Sequence, residues 1–236
     1  MNLTAAYGSH SIEYSLVRRD RATLEITVQP DGTVEVVAPM ASSALEIERR
    51  ITKRARWILR QQEFFGQFLP RTPQRQWVPG ETHLYLGRHY RLRIGERANT
   101  RQVRLIRGFF VLDGVDFDDN FAIESLVNAW YRVRARVQFE RSLQRCQKRF
   151  ATPESFEPAS VQLRRMPTRW GSMSARGRLS LNPGLVRAPA DAIDYVITHE
   201  LCHLAVANHG PAFSDLLSVV MPDWEQRKFR LERALA

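Results

Sequence analysis

The stretch Val196-Ile197-Thr198-His199-Glu200-Leu201-Cys202-His203-Leu204 has a spacing that makes sense on a helix. Residues four apart there stand one turn above each other. The imidazoles of His199 and His203 then reach one metal ion, at about 2.0–2.1 Å for zinc. Glu200 is rotated by about 100° from His199, which lets it flank the metal and face the open coordination position. Ile193, Ile197, Leu201 and Leu204 form an apolar face, and Tyr195, His199 and His203 line up on another. Pro189 and Asp191 are start signals, and Asp191 and Asp194 suit the positive end of the helix dipole. The expected helix runs from about Ala190 to Ala207. His-Glu-x-x-His is a metal-hydrolase signature, and chance places it in fewer than about one per cent of chains this long.

Catalytic zinc sites usually hold three protein ligands and keep one position open. His209, six residues after His203, is the leading third candidate. An unbroken helix would turn it about 240° away, but Asn208, Gly210 and Pro211 can break the helix and swing the chain back. The first-to-third spacing matches the long metzincin pattern, although Val206 occupies its glycine position. A carboxylate from the following helices, Asp215 or Glu225, is the rival ligand. His10, His83 and His89 occur singly, and the latter two flank a hairpin turn as surface or strand residues. Cys202 reads as a small packing residue beside the site.

Working outward, Ile12–Val17, Leu24–Val28 and Val34–Val37 read as strands around the turn residues Pro30-Asp31-Gly32. A helix starts at Ser42 or Ser43 and turns Leu45, Ile51, Ala55, Ile58 and Leu59 to one face. After Gly66, Pro70 and Pro73 come short strands at 82–85, 90–94, 103–106 and 109–112. The aspartate-rich segment 113–120 lacks the spacing of a calcium loop and reads as an acidic surface loop. A long helix over 122–150 carries a stripe of Leu126, Trp130, Val133, Val137, Leu143 and Cys146. Strands at 161–166 and 178–182 precede helices at 190–207, 211–220 and 222–235. The fold class is therefore α+β, with no internal repeat. The expected boundary lies near residues 114–121, giving a β-rich basic region with one helix over 1–118 and a mostly helical domain over 119–236.

The 236 residues are 44% hydrophobic and 25% charged, which suits a folded domain and argues against bulk disorder. No run approaches the roughly 18 apolar residues of a membrane span. The first residues lack the apolar stretch of a secretory signal, so a cytoplasmic location is expected. Two cysteines do not make a disulfide framework. The formal charge is +10, and residues 1–150 hold 25 Lys+Arg against 16 Asp+Glu. Such a surface either serves solubility or attracts nucleic acid through counterion release.

Several segments together carry a resemblance: Thr168-Arg169-Trp170-Gly171-Ser172-Met173-Ser174, Leu179-Ser180-Leu181-Asn182, His199-Glu200-Leu201-Cys202-His203, Asn208-His209-Gly210-Pro211-Ala212-Phe213 and Pro222-Asp223-Trp224-Glu225-Gln226-Arg227-Lys228. Ala38-Pro39, Trp57-Ile58-Leu59, Gly80-Glu81, Leu86-Gly87 and Trp130-Tyr131 extend it over nearly the whole chain. The sequence resembles the YgjP-like metallopeptidase family, related more distantly to SprT-like and gluzincin-type peptidases. Met173 stands where that family usually has Cys. The resemblance implies a zincin-like domain over 119–236, Zn2+ held by His199, His203 and His209, and Glu200 as catalyst. It also implies that one of the segments Arg169–Ser174 and Leu179–Asn182 forms a substrate-aligning edge. The expected function is a zinc metallopeptidase acting on a peptide or protein, with Glu200 as general base and a zinc-bound water as nucleophile. Arg169 or Tyr195 is the candidate oxyanion stabiliser. The alternatives are a metal-dependent nucleotide phosphohydrolase, and a nucleic-acid-associated protease recruited through the basic N-terminal part.

Overall fold

The computed structural model describes residues 2–69, 73 and 75–235. The fold is α+β, and the chain divides into two compact units, Met1–Thr72 and Pro73–Leu235.

In the first unit, β1 (Asn2–Tyr7), β2 (His10–Arg19), β3 (Glu25–Val28) and β4 (Val34–Pro39) form a sheet in the order β1-β2-β4-β3. β2 and β4 are parallel, and the two outer pairings are antiparallel. Helix α1 (Ala44–Gly66) begins where Ser43 Oγ accepts the Glu46 backbone N–H at 3.2 Å, satisfying one of the helix's orphan donors. Its buried face is Ile47, Ile51, Ala55 and Ile58, packed with Ile12, Val34, Val36 and Ala38 of the sheet. Leu45, expected on that face, is exposed because it lies in the first turn, and Ile47 takes the inward place.

The second unit opens with β5 (Thr82–Tyr85), β6 (Arg88–Ile94), β7 (Gln102–Ile106) and β8 (Phe109–Asp113), again followed by a long helix, α2 (Asn120–Gln147). The order is β5-β6-β8-β7, with β6 and β8 parallel and the outer pairings antiparallel. The chain therefore repeats one topology, four strands then a helix, where the sequence shows no repeat. The two copies share the pattern of strand and turn while filling their cores differently: Leu16, Val36 and Ile26 pair across the first sheet where Leu92, Phe110 and Leu105 pair across the second.

Leu92, Phe110 and Leu112 of this second sheet share one core with Ile123, Val127 and Tyr131 of α2. The Tyr131 hydroxyl donates to the Leu84 carbonyl at 2.6 Å. The boundary expected near 118 thus falls inside a compact unit, and the division lies at Thr72 and Pro73. In the segment 113–120, Asp116, Asp118 and Asp119 are exposed, as expected of an acidic surface loop, but two of its aspartates also have structural roles. Asp113 is buried, paired with Arg104 at 2.7 Å, and Asp119 caps α2 by accepting the Ala122 N–H at 2.9 Å.

Beyond α2 lies a three-stranded sheet of β9 (Ser160–Leu163), β10 (Gly171–Met173) and β11 (Arg178–Leu181), in the order β10-β11-β9. Helices α3 (Ala190–Cys202), α4 (Pro211–Val220) and α5 (Trp224–Leu235) complete the unit. α3 is buried almost all round. Its start is fixed by the β5–β6 turn, where the Leu86 and Gly87 amides donate to the carbonyls of Val186 and Arg187 at 3.0 and 2.9 Å. Gly87 has φ +75°, and a Cβ there would sit 2.8 Å from Pro189, so glycine is required on both counts. Midway along α3, Asp194 accepts hydrogen bonds from Ser142 and from Arg145 of α2.

Candidate metal centre

The last turn of α3 carries His199 and Glu200, and His203 caps the helix. The chain then tightens. The amides of His203, Leu204 and Ala205 donate to the carbonyls of Glu200, Leu201 and Cys202, three residues back, at 3.0–3.2 Å. The helix therefore stops at Cys202 rather than running to Ala207. Stopping early is what lets residues 204–210 double back, and α4 restarts at Pro211, whose missing N–H costs nothing at a helix start.

The result is a cluster. His209 Nε2 lies 2.9 Å from His199 Nε2 and 3.1 Å from His203 Nε2, and the three ligand atoms all fall within 4.8 Å of one another. Zinc bound tetrahedrally at about 2.0–2.1 Å would hold such nitrogens roughly 3.3 Å apart. The observed separations need to open by only a few tenths of an ångström. His203 Nδ1 is 3.0 Å from the Val206 carbonyl, and that geometry assigns the proton to Nδ1 and leaves the Nε2 lone pair for a metal. His199 Nδ1 is buried without a hydrogen-bond partner among the described residues. Phe213 of α4 packs against all three imidazoles, with ring centroids 4.6–4.8 Å away.

Burial pushes His199 down to about 3, with further lowering from His209, His203 and Lys228. His209 is lowered too, first by burial and then by His203, Arg169 and Lys228. Both rings are thus neutral near pH 7, as ligands must be. Three imidazole donors with no carboxylate among them suit zinc and do not suit magnesium or calcium, which take oxygen ligands.

Glu200 is buried beside the cluster, and burial pushes its carboxyl up to about 7 against the opposing pull of the Met173 amide and Arg169. It rests against Gly171, where a Cβ would lie 2.7 Å from Glu200 Cγ and 2.9 Å from Oε1. β10 is an edge strand and β11 is central. Within β10 the ladder alternates. The Trp170 carbonyl accepts from Asn182 and the Ser174 amide donates to Arg178, so Gly171 and Met173 turn their backbone groups away from β11. The edge borders a cleft of about 620 Å³ that also takes in Arg169, Tyr195, the three histidines, Glu200, Lys228 and Glu232.

Asp215 and Glu225 are exposed and do not line this cleft. Tyr195 presents its ring to His199 at 5.9 Å and stacks on Trp224 at 6.3 Å, and burial raises its hydroxyl pKa well above the ordinary value. Arg169 is exposed on the cleft. Sequence reasoning named no role for Gly171, Phe213 or Lys228. Gly171 entered only as part of the segment Arg169–Ser174, which the resemblance offers as a substrate-aligning edge.

Among solved structures, the crystal structure of the metallopeptidase zymogen of Pyrococcus abyssi abylysin is 19% identical, covering 38% of this chain and 88% of that one with a TM-score of 0.33. That likeness is too weak to bear on fold or function. No curated protein matches the chain. The model of the YgjP-like metallopeptidase domain matches residues 22–234, a span that takes in the three histidines, Glu200 and the edge strand, and the chain belongs to the YgjP-like metallopeptidase family.

Proposed function

We propose that the protein is a zinc-dependent peptidase in which His199, His203 and His209 hold the metal and Glu200 is the general base. The observation that carries this reading is the meeting of three imidazole Nε2 atoms beside a buried carboxylate at one end of α3. Bound zinc supplies Lewis acidity, which acidifies water and polarises a carbonyl. The chain's own residues do the rest. Gly171 leaves space for the Glu200 carboxylate, and the Met173 amide orients it. Glu200 takes a proton from the attacking water on a carboxylate oxygen and returns it to the departing amine. An extended peptide adds to the open edge of β10 through the Gly171 backbone groups and the Met173 carbonyl that the ladder leaves free, the Met173 amide being held by Glu200. Arg169 and Tyr195 border the position where negative charge develops on the carbonyl oxygen, and either can donate to it.

Glu200→Gln keeps the shape of the site and removes the base. The expected outcome is a protein that retains its zinc and hydrolyses a peptide library at least about 10²-fold more slowly. Turnover at the wild-type rate in that variant overturns the mechanism.

A further inference from the structure

A second cavity, of about 570 Å³, lies in the same unit, and Trp170 lines both it and the metal cleft. Four arginines from four separate segments line it: Arg75 before β5, Arg132 on α2, Arg165 after β9, and Arg187 at the end of the short 3-10 turn that leads into α3. Glu124 is the one carboxylate on its lining, and it accepts from Asn128 at 3.4 Å.

Exposed arginines on a basic protein are ordinarily just solvated, and Arg132 and Arg165 alone would carry nothing. Arg187 is different. It is half-buried, its guanidinium Nε donates to the Gly184 carbonyl at 3.1 Å, and no carboxylate among the described residues lies within ion-pair distance. Burial holds its pKa below the ordinary value against an opposing pull from Tyr131, and the neighbouring charges of Arg75 and Arg165 add to the lowering. Arg75 has a distant partner, Glu81 at 3.9 Å, and Arg165 has none among the described residues. A cation removed from water and surrounded by its own kind is unfavourable unless an anion completes the group. The guanidinium fork matches the two oxygens of a phosphate or a carboxylate.

We propose that this cavity is an oxyanion pocket, built by Arg75, Arg165 and Arg187 with Arg132 at its border, and that it takes a phosphate or carboxylate group of a ligand. The pocket does not depend on the peptidase reading, because none of these arginines touches the metal site's histidines. Its place beside Trp170 puts an anion held there next to the cleft, where it can serve as an anchor for a longer molecule.

The test is calorimetric titration of the full-length, zinc-loaded protein with inorganic phosphate and, separately, with succinate, at constant ionic strength set with sodium chloride. Saturable binding of phosphate alone identifies a phosphate site, and binding of succinate alone identifies a carboxylate site. Binding of both identifies a pocket that accepts either, and each of these three results supports the proposal when the double variant Arg75→Gln/Arg165→Gln weakens it at least tenfold. Arg56→Gln, an exposed arginine of the first unit, leaves it unchanged. Saturable binding by neither probe overturns the proposal. So does binding that survives the double substitution, which belongs to the metal centre.

Discussion

Gly171 shows how one residue type sets the position of the proposed general base. Its backbone needs no left-handed conformation, so the requirement for glycine is purely one of space: a methyl group would stand 2.7 Å from Glu200 Cγ. Gly171→Ala must displace the carboxylate, and a shift of about 1 Å at a reacting group can cost about 10²-fold in rate. The expected variant binds zinc at the wild-type stoichiometry and has a kcat lower by that order, measured on the same preparation. An alanine variant of unchanged kcat means that Glu200 has room to spare and is not positioned by this contact. None of this was legible in sequence, because residues 171 and 200 meet only through the packing of β10 on α3. His199, Glu200 and His203 were legible for the opposite reason: helical periodicity alone brings them together. His209 stood between, pointed to by a breaker after it but placed by a turn that begins earlier, at His203.

At the scale of elements, α2 is instructive. The expected stripe of Leu126, Trp130, Val133, Val137, Leu143 and Cys146 is rotated from the real one, which runs through Ile123, Val127, Tyr131, Ala135, Phe139, Ser142 and Cys146. Val133 and Val137 are exposed, and small or polar Ala135 and Ser142 are buried. A 28-residue helix with apolar residues on two sides is ambiguous until its partners are known. Here β8 and α3 select the side where small residues allow close approach and where Ser142 meets Asp194. The corrected face predicts unequal costs: Val133→Glu changes stability by no more than about 0.5 kcal/mol, whereas Phe139→Ala costs about 3–5 kcal/mol, both read from denaturant unfolding. Equal costs would contradict the observed face. The strand β8 carries a pH prediction. The hydrogen bond from Arg104 holds the Asp113 carboxyl below its ordinary range, helped by the Glu96 amide and Gln102. A depressed folded pKa contributes stability that is present above the unfolded value of about 3.9 and is lost as pH falls through the folded value. Asp113→Asn is therefore expected to lower the melting temperature at neutral pH and to flatten the decline below pH 4. An acid limb identical to wild type would show that another carboxylate governs it.

Across the whole molecule, the two compact units revise the reading of charge. Residues 1–72 hold 10 Lys+Arg against 8 Asp+Glu, and residues 73–236 hold 25 against 17. The surplus therefore resides mainly in the unit that contains the histidine cluster, and it arises between residues 73 and 150. A division drawn from charge and strand content missed this because the second four-strand sheet looks like a continuation of the first, while its hydrophobic face belongs to α2. The class of fold was readable from the alternation of strand and helix patterns; the repeated topology was not, since sheets of different composition share no motif. Among the described residues no helix is long and apolar enough to cross a membrane. The proposed peptidase chemistry depends on one metal ion per chain at His199, His203 and His209. Elemental analysis of purified wild type beside His209→Ala, both expressed in zinc-replete medium, tests that directly. The account predicts about one zinc per wild-type chain and a sharp loss in the variant, with both proteins folded. Wild type without zinc, or a variant that keeps it in full, would contradict the account.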